Sequence, residues 1–434
     1  MFLKSFTNIF SFIIFLFSLI NNSLQSSYIV FPFKKSVKET KYYPEDLLQN
    51  DLEITMEIGT PPQSIGLNLR SKAYTFFVTS VQANLPFTTF NDYNSQTLIK
   101  MTQKPDTYMN QEYTKGYMIY ESIYINGKEI KNISLIMATS VAYRESGALG
   151  LRLVESHEYG DDLSFIYQMK TLGKLDSYSY MINYKSDDEG DLIIGTYPHL
   201  FDKKFSEKNF YYTRAGAKGN NVNWILDFDI IRYNNKTINL INKQGFTNIE
   251  FGLIQAPYKL KQYFKENFYG DKCVERSNKK RNITIIHCDE KFDITSFKNL
   301  TFILKDISFE FTLTYEDLFI KYNNEYIFGI VFDENVDNKE ATWILGKPFM
   351  KKYNLIYDLD KKIIGLYKGY NEEEKNDNQR NLVYIILLIV LGVIVVALVA
   401  FIIYYLKKPR KNRAYELNDD NYEYFPNNEI VPPS

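Results

Sequence analysis

Apolar and polar residues alternate with a period of two along most of the chain between residues 51 and 367. Residues 51–58, DLEITMEI, follow this pattern, which is typical of a strand that buries one face. It recurs in the segments TKGYMIYESIYINGKEI, GDLIIGT, NWILDFDIIRY, LTFILKDISFEFTLT and NLIYDLDKKIIGLYKG. Helical periodicity is limited to short segments at residues 162–169 and after Pro257. The pattern therefore predicts a mostly β fold for this part of the chain.

A coarse duplication runs through the same region. A strand, a loop and a later apolar-apolar-Gly segment occur in residues 52–151 and again in residues 224–346. The later segments are ALG at 148–150 and ILG at 344–346. Two similar lobes that face each other would create a cleft between them. The predicted lobes are residues 45–210 and 211–370.

The N-terminus has the order of residues found in a secretory signal peptide. Lys4 precedes an apolar run from Phe6 to Ile20, and small and polar residues follow. The alternative is an N-terminal membrane anchor, but Asn8 and Ser11 interrupt the run and shorten its apolar core. We therefore expect residues 1–26 to direct export and to be removed.

A second apolar segment lies near the C-terminus. Residues 382–406 form an uncharged run of 25 residues, long enough to span a bilayer with some tilt. The next seven residues, KKPRKNR, carry five basic side chains, which places the following tail in the cytosol. The pattern predicts a single-pass type I membrane protein of the cell surface or the endomembrane (secretory or endolysosomal) system. Its juxtamembrane stalk is 371–381, its transmembrane helix 382–406 and its cytosolic tail 407–434.

Composition adds two constraints to this topology. The 51 Lys and Arg residues nearly balance the 52 Asp and Glu residues, so no long-range field would attract nucleic acid. Cys273 and Cys288 fall in the exported part, where the compartment is oxidising, and can form one disulfide. Four glycosylation sequons also fall there, at Asn132, Asn235, Asn282 and Asn299.

The residues for metal or serine chemistry are scarce. The three histidines, His157, His199 and His287, lie in polar stretches and are expected at the surface. No His-Glu-x-x-His, Cys-x-x-Cys or Gly-x-Ser-x-Gly motif is present. The sequence therefore predicts no metal site, no cofactor and no serine nucleophile.

Several motifs together resemble the pepsin-like aspartic peptidases, peptidase family A1. They are EIGTPPQ at 57–63, SGALGL at 146–151, the strand around Trp224, WILGKPF at 343–349, Tyr357-Asp358 and Gly365. The resemblance covers about residues 45–370 in family order. It implies an all-β, bilobal pepsin-like fold, with an extended peptide or protein ligand bound in the cleft between the lobes. Cys273 and Cys288 look like the family's C-terminal-lobe disulfide, and residues 27–44 like a short pro-like segment.

The resemblance fails where the family carries its catalytic aspartates. Each lobe of that family contributes Asp, then Thr or Ser, then Gly, and the two carboxylates share a proton to activate a water. The first triplet falls on RSK at 70–72, and the second on NIE at 248–250. No Asp-Thr-Gly or Asp-Ser-Gly occurs between the signal peptide and the predicted span. Arg70 offers donors only and Asn248 cannot take a proton, so neither can act as the general base.

Two further expectations concern the same loops. Arg70, if partly buried, needs a partner, and we hypothesise that it pairs with Glu250 across the pseudo-twofold axis. The family flap carries a Tyr-Gly turn over the cleft, and Tyr108, in YMNQE without glycine, is the nearest candidate.

These departures favour a catalytically degenerate pseudo-peptidase that binds peptides or proteins without cutting them. One alternative is an active membrane-anchored aspartic endopeptidase. Another is a structural surface protein whose cleft is filled by bulky side chains, for which Phe76, Phe77 and Phe251 are candidates.

Overall fold

The computed structural model describes residues 27–36, 45–86, 88–101, 106–108, 114–141, 145–153, 163–218, 221–240, 242–279, 281–307, 309–334 and 342–368. This part of the chain is mainly β, as the period-two pattern predicts. Its first strands are β1 (Ile29–Lys35), β2 (Leu52–Ile58), β3 (Gln63–Arg70), β4 (Phe76–Thr79), β5 (Ile99–Lys100), β6 (Asp106–Tyr108), β7 (Thr114–Ile125), β8 (Lys128–Ser140), β9 (Gly147–Gly150), β10 (Ser179–Tyr184), β11 (Glu189–Ile194), β12 (Phe210–Arg214), β13 (Gly216–Lys218) and β14 (Asn221–Asn223).

The later strands are β15 (Ile225–Tyr233), β16 (Lys236–Thr237), β17 (Gln244–Thr247), β18 (Ile254–Ala256), β19 (Cys273–Asn278), β20 (Ile283–Asp289), β21 (Leu300–Leu304), β22 (Glu310–Leu313), β23 (Phe319–Tyr322), β24 (Glu325–Phe328), β25 (Ile330–Asp333), β26 (Trp343–Leu345), β27 (Leu355–Asp358) and β28 (Ile363–Tyr367). The α-helices are Glu45–Leu48, Phe165–Thr171, Lys259–Phe264, Tyr315–Leu318 and Lys347–Lys352, with a π-helix at Lys265–Tyr269. The 3₁₀-helices are Val81–Ala83, Pro198–Leu200, Glu207–Asn209 and Ile294–Ser296. The two helices expected near residues 162–169 and after Pro257 are both present.

The strands form two large sheets. The larger has 14 strands, in the order β12-β28-β27-β10-β11-β1-β2-β3-β9-β4-β8-β7-β5, with β6 paired to β7. The smaller has 12 strands, in the order β22-β21-β15-β17-β26-β18-β25-β20-β24-β23, with β16 on β15 and β19 on β20. A separate hairpin joins β13 and β14. Two sheets of this kind are consistent with the predicted bilobal fold.

The larger sheet combines distant parts of the chain. β1 lies in the predicted pro-like segment and pairs with both β11 and β2. At the other end of the described chain, β27 pairs with β10 and β28 pairs with β12. Strands before residue 215 and after residue 354 therefore share one sheet, a pairing that alternation within single strands does not reveal.

The core consists of the apolar faces of these strands. Phe76 lies in the main cluster, while Phe77 and Phe251 each lie in a smaller buried cluster. All three rings therefore contribute to the packing of the sheets.

The predicted disulfide is confirmed. Cys273 and Cys288 lie directly opposite each other on β19 and β20, with an S–S distance of 2.07 Å. The four sequon asparagines all have exposed side chains: Asn132, Asn235, Asn282 and Asn299.

The expectation that the histidines lie at the surface is wrong for His287. Its side chain is 2% exposed, and it lies on a strand that is buried on both faces, since residues 283–288 of β20 are all buried. His287 Nδ1 lies 3.1 Å from Glu325 Oε1. His199 is half-buried, with Nδ1 2.7 Å from Tyr367 Oη. His157 lies outside the described residues.

The predicted signal peptide, stalk, membrane span and tail also lie outside the described residues. Within the ranges that the structure describes, no helix has both the length and the hydropathy needed to cross a membrane.

Candidate functional site

Each large sheet contains the same arrangement of strands around one loop. β9 pairs in parallel with β3 and antiparallel with β4, and β4 pairs in parallel with β8. In the smaller sheet, β26 pairs in parallel with β17 and antiparallel with β18, and β18 pairs in parallel with β25. The duplication expected from the sequence is therefore present in the topology.

The register makes two loop residues equivalent. Leu69 on β3 pairs with Leu149 of the ALG segment, and Thr247 on β17 pairs with Leu345 of the ILG segment. The residue that follows Leu69 is Arg70, and the one that follows Thr247 is Asn248. The two positions singled out from the sequence, one at the end of β3 and one just after β17, therefore correspond in register.

The glycines that end the ALG and ILG segments hold these loops in place. A Cβ on Gly150 would overlap the backbone of residues 73–75, and a Cβ on Gly346 would overlap the carbonyl oxygens of Phe251 and Leu253. Because the contacts are with backbone, a side chain cannot be accommodated by a simple rotation. Each loop is therefore packed directly on a glycine.

The two loops contact each other. The Ser71 backbone N–H donates to Glu250 Oε1 at 2.8 Å, and the Lys72 N–H donates to the same oxygen at 3.4 Å. Ser71 Oγ donates to Glu250 Oε1 at 3.2 Å and to Asn248 Oδ1 at 3.3 Å. The hydroxyl and amides of the first loop are thus bonded to the side chains of the second.

Arg70 lies at the centre of three carboxylates. Its Nη2 donates to Glu145 Oε2 at 2.7 Å, and its Nη1 lies 3.2 Å from Asp51 Oδ1 and 3.4 Å from Glu250 Oε2. The side chain is only 11% exposed. The hypothesised pair with Glu250 is therefore present, although Glu145 is the nearer partner.

Sequence reasoning missed Glu145 and Asp51. Glu145 is buried and also accepts from Asn68 Nδ2 at 2.9 Å. Its position gives one signal that could have found it, because it stands immediately before the SGALGL motif at 146–151, beside the strand that pairs with Arg70.

The segment that carries Asp51 also contacts the second loop. Asn50 Nδ2 donates to the Ile249 carbonyl at 2.7 Å, and the Asn50 N–H donates to the Glu250 carbonyl at 3.0 Å. The Gly252 N–H donates to the Leu48 carbonyl at 3.0 Å. Residues 48–51 therefore bind one loop by backbone and side chain while Asp51 binds Arg70 of the other.

The electrostatics keep Arg70 charged. Burial alone would lower the pKa of its guanidinium, but the charges of Glu145, Glu250 and Asp51 outweigh burial and raise the pKa above its usual range. A guanidinium donates hydrogen bonds and accepts none, so Arg70 itself can bind acceptors but cannot remove a proton.

Asn248 is also held by hydrogen bonds within the site. Its backbone N–H donates to the Leu345 carbonyl at 3.0 Å, and its Oδ1 accepts from the Glu250 N–H at 3.0 Å. Its buried amide therefore organises the second loop.

Tyr108, the predicted flap residue, ends β6 and pairs with Thr114 on β7. Residues 109–113, between these two strands, lie outside the described residues. The role of Tyr108 at the flap stays a prediction. Among the residues that the structure describes, no group of three or more His, Cys, Asp or Glu side chains is arranged to hold a metal ion.

Comparison with known proteins gives one positive finding. No curated protein matches the chain. The family model described as eukaryotic aspartyl protease matches residues 53–368. This match covers well over half of the chain and includes both loops and the two large sheets, apart from β1 and the first residue of β2. The chain belongs to the eukaryotic aspartyl protease family.

Proposed function

We propose that this chain is a catalytically degenerate member of its family, a pseudo-peptidase that binds peptides or proteins between its lobes without cutting them. The observation that carries the proposal is the centre where the two loops meet. Arg70 lies there among three carboxylates, and Asn248 occupies the corresponding position of the other loop.

The chemistry of the family supports this assignment. Aspartic peptidases need two close carboxylates that share one proton and activate a water. Arg70 and Asn248 cannot supply that pair. Glu250, the carboxylate of the second loop, accepts three donors of the first loop on Oε1 and contacts Arg70 through Oε2. With both oxygens bound to donors, Glu250 acts as a bridge between the loops.

The cellular setting is part of the proposal. We infer an exported type I glycoprotein, anchored by residues 382–406, with its family domain on the lumenal or extracellular side. The exposure of all four sequon asparagines is compatible with this topology. The ligand would be an extended peptide or a protein segment, because that is what the family's cleft accepts.

The family match favours a second candidate, an active aspartic endopeptidase. This candidate needs a pair of carboxylates that can share a proton in the full chain. It predicts cleavage at acid pH that a statine inhibitor abolishes.

Cleavage of a mixed peptide library by the purified full-length chain, from acid to neutral pH, separates the two candidates. We expect no statine-sensitive turnover, together with retention of a subset of uncut peptides by the immobilised chain. A Glu250→Gln variant purified in parallel is the control, because a contaminating peptidase would cleave equally in both preparations. Statine-sensitive turnover by the natural chain that the variant lacks would overturn the proposal.

A further inference from the structure

One face of the larger sheet carries an apolar layer outside the main core. The neighbouring strands β1, β11, β10, β27, β28 and β12 contribute side chains to it in register. The layer contains Val30, Met181, Ile193, Ile356, Phe210 and Tyr367. Residues 197–205 lie across its middle and contribute Tyr197, Phe201 and Phe205 to the same cluster.

The cover reaches Phe210, the first residue of β12, whose ring lies 5.4 Å from that of Tyr197, and β12 is the edge strand of the sheet. Tyr212, whose ring lies 6.3 Å from that of Phe210, is 56% exposed. Leu200 is 58% exposed, and Tyr28, which stacks on Phe201 at 4.7 Å, is 36% exposed. We call this surface, centred on Tyr28, Leu200 and Tyr212, the β12 face.

The β12 face is also basic. Residues 199–214 contain four Lys or Arg against two Asp or Glu, and residues 359–368 contain three against one, in a chain whose net charge is −1. Lys361 Nζ lies over the Tyr197 ring at 4.4 Å, which places this charge directly on the aromatic layer. The exposed basic side chains are Lys203, Lys204, Lys208, Arg214, Lys361, Lys362 and Lys368.

The last strand that the structure describes ends at this face. β28 ends at Tyr367, and the Lys368 N–H donates to the Asn209 carbonyl at 2.9 Å. Residues 369–381 separate this point from the predicted membrane span. Thirteen residues reach at most about 45 Å when fully extended, so the tether keeps the β12 face at high effective concentration near the bilayer.

We propose that the β12 face rests on the lipid bilayer that carries the chain's predicted span. Tyr212, Leu200 and Tyr28 contact the boundary between headgroups and acyl chains, and the surrounding Lys and Arg side chains contact lipid phosphates. Tyrosine suits this boundary because its ring is apolar and its hydroxyl is polar, and clustered basic residues bind phosphate-rich surfaces. The inference rests on the membrane anchor of the proposed function but not on the absence of catalysis.

A competing occupant is a second copy of the chain, since an edge strand can pair with another edge strand. The basic residues argue against it. Two copies joined along β12 would bring like charges together, whereas a phosphate surface neutralises them.

Depth-dependent fluorescence quenching tests the proposal on the full chain in lipid nanodiscs. The two native cysteines are joined in a disulfide, so Tyr212→Cys introduces the only reactive thiol. A fluorophore on this thiol is exposed to lipids that carry a nitroxide at the headgroup or in the upper acyl chain. Tyr93→Cys is the matched control, because Tyr93 is 77% exposed and lies in the loop before β5, at the opposite end of the strand order. We expect at least fivefold stronger quenching at position 212 than at position 93.

A second variant separates contact from tethering. In the Tyr212→Cys background, Leu200→Ser with Lys203→Glu and Lys204→Glu weakens the face but leaves the tether unchanged. We expect it to reduce the quenching severalfold, and more so in discs that contain phosphatidylserine than in pure phosphatidylcholine.

Unchanged quenching would mean that the tether alone brings the face near the lipid, and equal quenching at positions 212 and 93 would also overturn the proposal. Failure of the chain to insert into the discs would overturn it as well, and so would a fluorescence change that depends on protein concentration and not on lipid. The peptide-cleavage assay tests the absence of catalysis independently of this membrane contact.

Discussion

At the scale of single residues, the unusual feature is a buried guanidinium in the loop where the family resemblance leads one to expect a carboxylate. Burying a charge costs several kcal/mol, and in Arg70 this cost is offset only because three carboxylates surround it. The raised pKa of Arg70 shows that the carboxylates outweigh desolvation. The same contacts connect one loop to the other, because Glu250 of the second loop is among the partners of Arg70.

The first prediction removes the nearest of these partners. Glu145→Gln takes one charge from Arg70 while keeping the size of a buried side chain. Because the remaining carboxylates compensate only in part, we expect the free energy of unfolding to fall by about 3 kcal/mol. Urea unfolding followed by near-ultraviolet circular dichroism measures this change.

The matched control is Glu290→Gln, which removes the partner of Lys321 in an exposed pair. It should leave the unfolding midpoint unchanged, since exposed pairs contribute little. Equal effects of the two substitutions would mean that Arg70 is not held by Glu145.

The second prediction concerns His287. Burial lowers the pKa of its imidazole, and the charge of Arg276 lowers it further. Glu325 raises this pKa, but the net shift is downward. The folded protein therefore keeps His287 neutral at pH values where the unfolded chain, with a pKa of about 6.5, begins to take up a proton. Stability should fall as the pH drops below about 6.5, because the unfolded state then binds more protons. In His287→Gln the dependence of the melting temperature on pH below that point should be weaker, and an unchanged dependence would contradict the assignment.

At the scale of elements, the repeated unit of two strands, one loop and a packed glycine explains why the loops have corresponding positions. The ILG and ALG segments lie between the strands that flank each loop. Sequence alternation predicts the strands, while the glycine makes room for the loop backbone.

The third prediction tests that unit. Gly346→Ala places a methyl group against the carbonyl oxygens of Phe251 and Leu253, and the loop backbone must move to admit it. We expect a loss of about 3 kcal/mol in the free energy of unfolding, together with weaker contact between the loops. Gly127→Ala is the control: its φ is +73° but open space surrounds it, so its cost should be only about 1 kcal/mol. Similar losses for the two variants in urea unfolding would argue against the packing role of Gly346.

The fourth prediction concerns the hairpin of β19 and β20. The disulfide between Cys273 and Cys288 closes a loop of sequence separation 15, which by chain entropy contributes about 3 kcal/mol. Replacing both cysteines by serine should lower the free energy of unfolding by about that amount. Reducing agent should reproduce the loss in the natural chain and have no further effect on the variant. A reductant effect that persists in the variant would show that the loss does not come from this bridge.

At the scale of the whole molecule, different parts of the structure were predictable to different degrees. The strands, the duplication, the disulfide and the approach of Arg70 to Glu250 follow from local pattern, spacing and the family resemblance. Glu145 and Asp51 could not be assigned to Arg70, because strand pairing and not sequence distance brings them together. For the same reason, the burial of His287 and the shared sheet of β1, β12 and β28 emerge only when the pairing of strands is known.

The last prediction tests the orientation of the molecule relative to a membrane. If the chain is exported, its exposed sequons face the glycosylation machinery, so expression in a eukaryotic secretory cell should give up to four glycans that an endoglycosidase removes. Each single substitution of Gln for Asn132, Asn235, Asn282 or Asn299 should remove one glycan, so that the protein migrates faster on a gel by one step. The control is Asp420→Ser, which creates a sequon at Asn418 in the predicted cytosolic tail and should add no glycan. Since a type I protein exposes only one side of its span to the glycosylation machinery, modification of Asn418, or of none of the four natural sites, would contradict the orientation. Glycans confined to the family domain would place any ligand of that domain outside the cytosol.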